Sequence, residues 1–175
     1  NKYLKENATL ADVGTGAGFP GIPLKILRTD IKVTLVDSLN KRINFLNEVI
    51  EKLNLEDIVT VHSRIEDFGK NKSYREKFDY VTARAVANLA VLSEYLIPIA
   101  KIGGKCVCMK GSNVGEEITS GKNAINVLGG KLERVDEFKL PDSDISRNVI
   151  VLSKVKNTPV RFPRKAGMPS KEPLK

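Results

Sequence analysis

The chain has 175 residues, of which 41% are hydrophobic and 29% charged, and its formal net charge is +8. That is the size of one domain with a sizeable core and the composition of an ordinary globular protein. It excludes a helical membrane span, because no apolar run approaches the roughly 18–20 residues needed, and two cysteines exclude a disulfide framework. A reducing, cytoplasmic setting is the simplest expectation. The start, Asn1-Lys2-Tyr3, leads into a charged stretch without a signal-like apolar core. It opens on Asn rather than Met, so a preceding segment is expected.

Residues 10–13 read as a first strand running straight into a cluster of glycines. Pro20 and Pro23 suit the first turn of a helix that continues through Leu24, Ile26 and Leu27. Residues 31–36 form a second strand ending at Asp37. Ser38 can cap the next helix, in which Ile43, Leu46, Ile50 and Leu53 recur at helical spacing. Residues 58–61 are a third strand and 78–82 a fourth, with a polar loop or frayed helix over 69–77 between them. Asn88 can cap a helix carrying Leu89, Leu92, Leu96 and Ile99, stopped by Gly103-Gly104. A fifth strand over 105–110 precedes a helix over 116–128, closed by Gly129-Gly130. Two extended runs, 132–140 and 148–155, flank the turn Pro141-Asp142-Ser143-Asp144 and predict an antiparallel hairpin.

Strands alternating with amphipathic helices predict an α/β, Rossmann-like fold, a mainly parallel sheet ending in an antiparallel hairpin. The domain is expected to span 1–154. Residues 155–175 form a basic tail with six cations against one acid and four of the eight prolines. Prolines at this density keep a segment out of helix and central strand. The tail is therefore expected to run extended over the surface, offering cations to a polyanion or merely adding solubility.

The most informative stretch is Asp12-Val-Gly14-Thr-Gly16-Ala-Gly18-Phe-Pro-Gly21. Glycines let the backbone turn tightly and let a ligand approach closely. The helix that follows at once is expected to turn free N–H groups toward that ligand. Asp37, at the end of the next strand, is placed to hold a ribose diol. A Walker phosphate loop is excluded, because no Gly-Lys-Ser/Thr follows. A nicotinamide-dependent oxidoreductase is the serious rival, since Gly16-x-Gly18-x-x-Gly21 fits its pattern. Against it, Asp12 suits an ammonium better than a pyrophosphate, and the terminal hairpin is foreign to that fold. S-adenosylmethionine has an α-ammonium and a ribose but no phosphate, and it matches this distribution of acids.

The run Asp-Val-Gly-Thr-Gly-Ala-Gly-Phe-Pro-Gly-Ile-Pro-Leu (12–24) resembles the signature of the glucose-inhibited division protein B family. So do Leu35-Val-Asp-Ser-Leu39 with Lys41-Arg42, Ser63-Arg-Ile-Glu66, Ala83-Arg-Ala85, Met109-Lys-Gly111 and the closing Pro163-Arg-Lys-Ala-Gly-Met-Pro-Ser-Lys171. That family comprises the bacterial ribosomal RNA small-subunit methyltransferase G enzymes. The resemblance implies methyl transfer from S-adenosylmethionine to guanine N7 in 16S ribosomal RNA, free or in the small ribosomal subunit. Family members begin with an additional helical segment that is largely absent here. The resemblance places the cofactor on Gly14 and Phe19, on Asp37, Ser38 and Leu39, on Ile65 and Glu66, and on Arg84. The residues alone leave Ile65 open between adenine wall and core, and Glu66 between site and surface acid.

Catalytic residues are not identifiable from the sequence. Cys106 and Cys108 share one face of an apolar strand and read as buried thiols rather than as nucleophiles for pyrimidine C5. An exocyclic-amine methyltransferase commonly carries Asn/Asp-Pro-Pro-aromatic after the fourth strand; here that place reads Ala83-Arg84-Ala85-Val86-Ala87-Asn88. Guanine N7 has an in-plane lone pair and loses no proton, so alignment is the main requirement. His62, the only histidine, reads as structural, and no spacing suggests a metal. Arg84, Lys110, Arg161, Arg164 and Lys165 are the candidate RNA contacts. A non-catalytic RNA-binding protein is the remaining alternative.

Overall fold

The computed structural model describes residues 4–84, 87–112 and 114–174. Ala85 and Val86 of the segment after the fourth strand, and the terminal Lys175, lie outside the described residues. The first half comprises β1 (Thr9–Val13), α1 (Gly21–Leu27), β2 (Lys32–Asp37), α2 (Asn40–Lys52), β3 (Ile58–His62), α3 (Ile65–Lys70) and β4 (Phe78–Arg84). The second comprises α4 (Leu89–Leu96), β5 (Ala100–Lys110), α5 (Gly115–Val127), β6 (Gly130–Lys139), β7 (Ser146–Lys154) and α6 (Met168–Lys171).

The strands form one seven-stranded sheet in the order β3-β2-β1-β4-β5-β7-β6. β1 to β5 pair in parallel, while β7 runs antiparallel to β5 and β6 antiparallel to β7. The expected parallel sheet with a terminal hairpin is therefore present. Alternation along each strand divides the core in two. Leu10, Leu35, Tyr80, Val107 and Val149 join Ile22 of α1 and Ile43 and Leu46 of α2 on one face. Val13, Val36, Val81, Cys106 and Ile150 join Phe68, Leu92 and Ile125 of α3, α4 and α5 on the other. Both cysteines are fully buried in this second core, where desolvation pushes the Cys108 thiol up to about 12 and Cys106 well above its ordinary value. Neither is a nucleophile.

Several local expectations are corrected. Leu39, not Ser38, occupies the cap position of α2, and no side chain caps it; the Asp37 carboxylate accepts from the Leu39 N–H instead. Leu53 ends α2 half-exposed rather than in the core. In the stretch expected to be loop or frayed helix, Gly69 and Lys70 end α3, a short helix held by Phe68 in the core, and 71–77 are a loop as expected. Asn88 does cap α4, its Oδ1 accepting from Val91 N at 3.1 Å. Gly103-Gly104 do not stop that helix: it ends at Leu96, and β5 is under way by Ala100. A Cβ on Gly104 would lie 2.9 Å from the carbonyl oxygens of Phe78, Asp79 and Lys101, so the glycine permits close backbone contact beside an irregularity in the β4–β5 register.

The largest departure is in the final segment. Rather than only running extended over the surface, it ends in the short helix α6 and is fastened down by Thr158, Phe162, Pro163 and Pro169, all buried. The fully buried Lys154 donates to Ile97 O (2.7 Å) and reaches Glu76 Oε1 (3.0 Å). Arg75 donates to Phe162 O (2.6 Å) and Thr158 O (2.7 Å). The buried Glu94 carboxylate takes a forked pair from Arg164, whose Nη2 lies 2.7 Å and Nε 3.0 Å away, and a backbone N–H from the same residue at 2.7 Å. A proline-rich segment has no periodicity from which such docking could be read. Its isolated Phe162 and Thr158 do the work that a helical stripe would do elsewhere.

Candidate active site

β1 delivers Asp12 into the glycine loop with no exposed surface. Its Oδ2 accepts from Thr15 Oγ1 (2.6 Å) and Gly21 N (2.9 Å), which ties the start of the loop to its end. Its other oxygen, Oδ1, is buried and has no hydrogen-bond partner among the described residues. Burial pushes the carboxyl up to about 6, against the opposing effects of the Thr15 and Gly21 hydrogen bonds and of the Arg84 charge. An unpartnered buried acceptor is costly in isolation. A cation beside it removes that cost.

Gly16 sits at φ +62, and a Cβ there would meet nothing within 4 Å, so the loop is open on that side. Gly18, at φ +90, is packed instead, because a Cβ would run into Ile22 and Leu46. The expectation of free helix N–H groups is not met. Gly21 N goes to Asp12, Ile22 N to Gly18 O at 2.7 Å, and Leu24 N to Pro20 O at 3.0 Å, while Pro23 has none. These donors are committed within the protein, which disfavours a pyrophosphate here.

Asp37 closes β2 almost fully buried. One oxygen accepts from Leu39 N (3.0 Å); the other accepts from Gly16 N (3.0 Å) and faces the Arg42 guanidinium (3.2 Å). It therefore links the glycine loop to the end of β2, a role not read from the sequence, and the half-exposed Arg42, which reaches both of its oxygens, is the partner a hydroxyl donor would have to displace. Ser38 and Leu39 are exposed beside it. His62 lies one strand over, its Nε2 3.0 Å from Ser38 O.

Ile65 and Glu66 open α3, just beyond β3. Ile65 is half-buried against the second core. Glu66 is not a surface acid: it is buried, and its Oε1 accepts from Gly167 N of the final segment at 2.8 Å. Arg84, exposed at the end of β4, stands over the Phe19 ring with its guanidinium carbon 5.5 Å from the centroid. Gly14, Phe19, Asp37, Ser38, Leu39, Ile65, Glu66 and Arg84 thus all lie at the carboxyl edge of the parallel strands, where open α/β sheets bind ligands.

Next to Arg84 a cleft of about 1030 Å³ opens beyond β4 and β5, with Met109, Lys110, Phe138, Arg147 and Asn148 among its walls. The last three do not stand out in the sequence. The signal was available in the hairpin: an antiparallel return begins where its parallel neighbour ends, so Asn148 of β7 pairs with Lys110 of β5.

The candidate RNA cations separate into two groups. Lys110 is largely buried and committed to Glu117 (2.6 Å) and Ala87 O (2.6 Å), and Arg164 is committed to Glu94. Arg161 and Lys165 are exposed, with Arg161 lying over Phe162 at 5.0 Å from its ring centroid. Among the described residues no helix is long and apolar enough to cross a membrane, and no three of His, Cys, Asp and Glu converge as a metal cage.

Residues 1–150 match the family model described as "GidB: rRNA small subunit methyltransferase G". A protein of Alkaliphilus metalliredigens named ribosomal RNA small subunit methyltransferase G is 53% identical over 175 residues, which are 100% of this chain and 73% of that one. Its namesake in Acetivibrio thermocellus is 57% identical over 169 residues, 97% of this chain and 69% of that one. Among solved structures, a variant of the 16S rRNA (adenine(1408)-N(1))-methyltransferase of Catenulisporales acidiphilia with cosubstrate SAM superposes with a TM-score of 0.69 at 19% identity, covering 87% of each chain. A likeness at that identity concerns the fold alone. The chain belongs to the GidB family, the rRNA small subunit methyltransferase G proteins.

Proposed function

We propose that this protein transfers a methyl group from S-adenosylmethionine to N7 of a guanine in 16S ribosomal RNA, free or in the small subunit, in the cytoplasm. Membership of the family carries the reading. The site is consistent with it, because the unpartnered Asp12 oxygen, the open side of Gly16 and the commitment of the first α1 N–H groups within the protein suit an ammonium and a ribose rather than a pyrophosphate. In this reading Asp12 faces the ammonium and Asp37 the ribose hydroxyls. Gly14, Phe19, Ser38 and Leu39 line the loop side, and Ile65 with the backbone of Glu66 lies along the adenine. Arg84 stands between this site and the cleft.

S-adenosylmethionine supplies a methyl group on a sulfonium, which needs no activation by the protein. Guanine N7 presents a lone pair and releases no proton, so no general base is required. What the chain contributes is alignment and a dry, charge-matched site. The buried, protonated thiols of Cys106 and Cys108 are spectators.

Tritiated methyl transfer to small-subunit ribosomal RNA tests the proposal, followed by mapping of the labelled base. Label on a guanine that becomes cleavable by N7-specific chemistry is expected. Binding of a nicotinamide dinucleotide without transfer would point to the oxidoreductase alternative, and RNA binding without transfer to a binding module.

The Asp12 carboxyl gives a second expected result. Its folded value of about 6 exceeds the ordinary 3.8, so the folded state holds a proton over that window that the unfolded chain has released. Stability from this group is therefore greatest at low pH and declines as pH rises from about 4 through 6. Binding of an ammonium needs the deprotonated form and follows the opposite trend. Cofactor affinity should rise several-fold between pH 5 and 7, and that rise should vanish in Asp12→Asn. Calorimetric titration across this range checks it, and an equally steep rise in the variant would remove Asp12 from the ammonium site.

A further inference from the structure

A guanine that offers N7 to a methyl donor cannot have that edge held by the protein. Its ring faces, its Watson–Crick edge and its phosphate remain to be gripped. The cleft beyond β4 and β5 holds one aromatic ring and one cation arranged for part of this task. Phe138 of β6 and Arg147 of β7 are direct cross-strand partners, so both side chains stand on one face of the hairpin. Both line the cleft that has Arg84 at its other side.

Their states differ from those of their neighbours. Phe138 is 45% exposed on the outermost strand, although it lies beside Leu140 and Val149 in the cleft wall. Of the other exposed phenylalanines, Phe19 lies beneath Arg84 and Phe45 is on α2, away from the cleft. The other basic groups of the cleft have partners: Lys110 is bonded to Glu117 and Ala87, and Arg84 lies over Phe19. Glu117, the acid of the cleft, is neutralised by Lys110 and also accepts from Leu89 N at 3.1 Å. Among the described residues the Arg147 guanidinium makes one hydrogen bond, from Nη1 to the carbonyl of its own neighbour Ser146 at 3.0 Å, and has donors left over. Beneath the pair, buried Asn148 donates to Gly111 O at 2.8 Å and fixes the start of β7 to the end of β5.

We propose that Phe138 and Arg147 hold the target nucleotide, the Phe138 ring stacking on the base and the Arg147 guanidinium donating to its phosphate. This rests on the RNA reading above. An exposed ring stacks with any base face, and a guanidinium with free donors matches phosphate geometry. Placement on the rigid hairpin, across the cleft from Arg84, brings the base to the carboxyl edge of the sheet, where the methyl donor binds.

The protein has no tryptophan, so F138W carries a single indole at the site. A short guanine-containing hairpin of 16S sequence is titrated into the full chain as wild type, F138W, F138A, R147A and R147K. Quenching of the indole by this RNA is expected. F138A should weaken RNA binding by about tenfold to a hundredfold without changing its salt dependence. R147A should flatten the slope of log affinity against log salt by about 1, and R147K should restore that slope. S-adenosylmethionine affinity should stay at the wild-type value in all four variants. An unquenched indole under RNA that still binds, or F138A binding as wild type does, overturns the proposal. A parallel loss of cofactor affinity also overturns it, because the pair would then be shaping the sheet edge. If the wild-type chain binds no RNA, the RNA reading itself falls and this proposal falls with it.

Discussion

Arg164→Ala should lower stability by about 3 kcal/mol, the magnitude typical of removing one partner from a buried ion pair. The cause is what remains. Glu94 is 1% exposed, and after the substitution its carboxylate would keep only the backbone N–H of residue 164. For a chain of this size the loss corresponds to a fall in Tm of roughly 10 °C. Arg164→Lys should recover part of it, because an ammonium supplies the charge without the forked geometry. Thermal unfolding by circular dichroism decides the matter, and a Tm within a degree or two of wild type would mean that Glu94 is protonated or hydrated instead. The same pairing limits what the tail can do for RNA. Replacing Arg161 and Lys165 by Ala should flatten the salt slope of RNA affinity by no more than about 2, and removing Arg164 should add nothing.

Asp37→Ala should weaken S-adenosylmethionine binding by about 1–3 kcal/mol, or roughly tenfold to a hundredfold. Two losses combine. The variant loses the acceptor for the ribose hydroxyls, and it strands Gly16 N and Leu39 N, which the carboxylate now receives at 3.0 Å each. Asp37→Asn separates the two, since its amide keeps one acceptor oxygen while its NH₂ must face one of those donors. An affinity between wild type and the alanine variant is expected, measured by calorimetry with Tm as the control for folding. Wild-type affinity in Asp37→Ala would take this residue out of the ribose role.

The sheet and its closing hairpin were legible because strand periodicity and turn residues act over a few neighbours. Asp37 was legible as an acid at a strand end, and Cys106 and Cys108 as same-face residues in an apolar run. What escaped were contacts between residues far apart in the chain. Glu66 and Gly167 are 101 positions apart, and Glu94 and Arg164 are 70 apart. Asp12 showed the limit of reading an acid by type: its charge suggested a ligand partner, yet half of the carboxylate serves Thr15 and Gly21. Gly103-Gly104 failed for a related reason. A glycine pair after a helical pattern reads as a stop, while in space it allows two strands to approach.

The docking of residues 158–167 sets an order on the birth of the fold. A ribosome that has made residues 1–154 has already produced Glu66 and Glu94, two carboxylates destined for burial. Their partners Gly167 and Arg164 are still to be synthesised. Until those residues emerge, α3 and α4 carry carboxylates that cannot enter an apolar interior unpaired. The nascent sheet can assemble, but its second face cannot close. Burial of the acids on α3 and α4 is thereby coupled to the emergence of residues 158–167, and a polypeptide cut short near residue 154 keeps exposed acids and an uncovered apolar face, the state that cellular proteolysis removes.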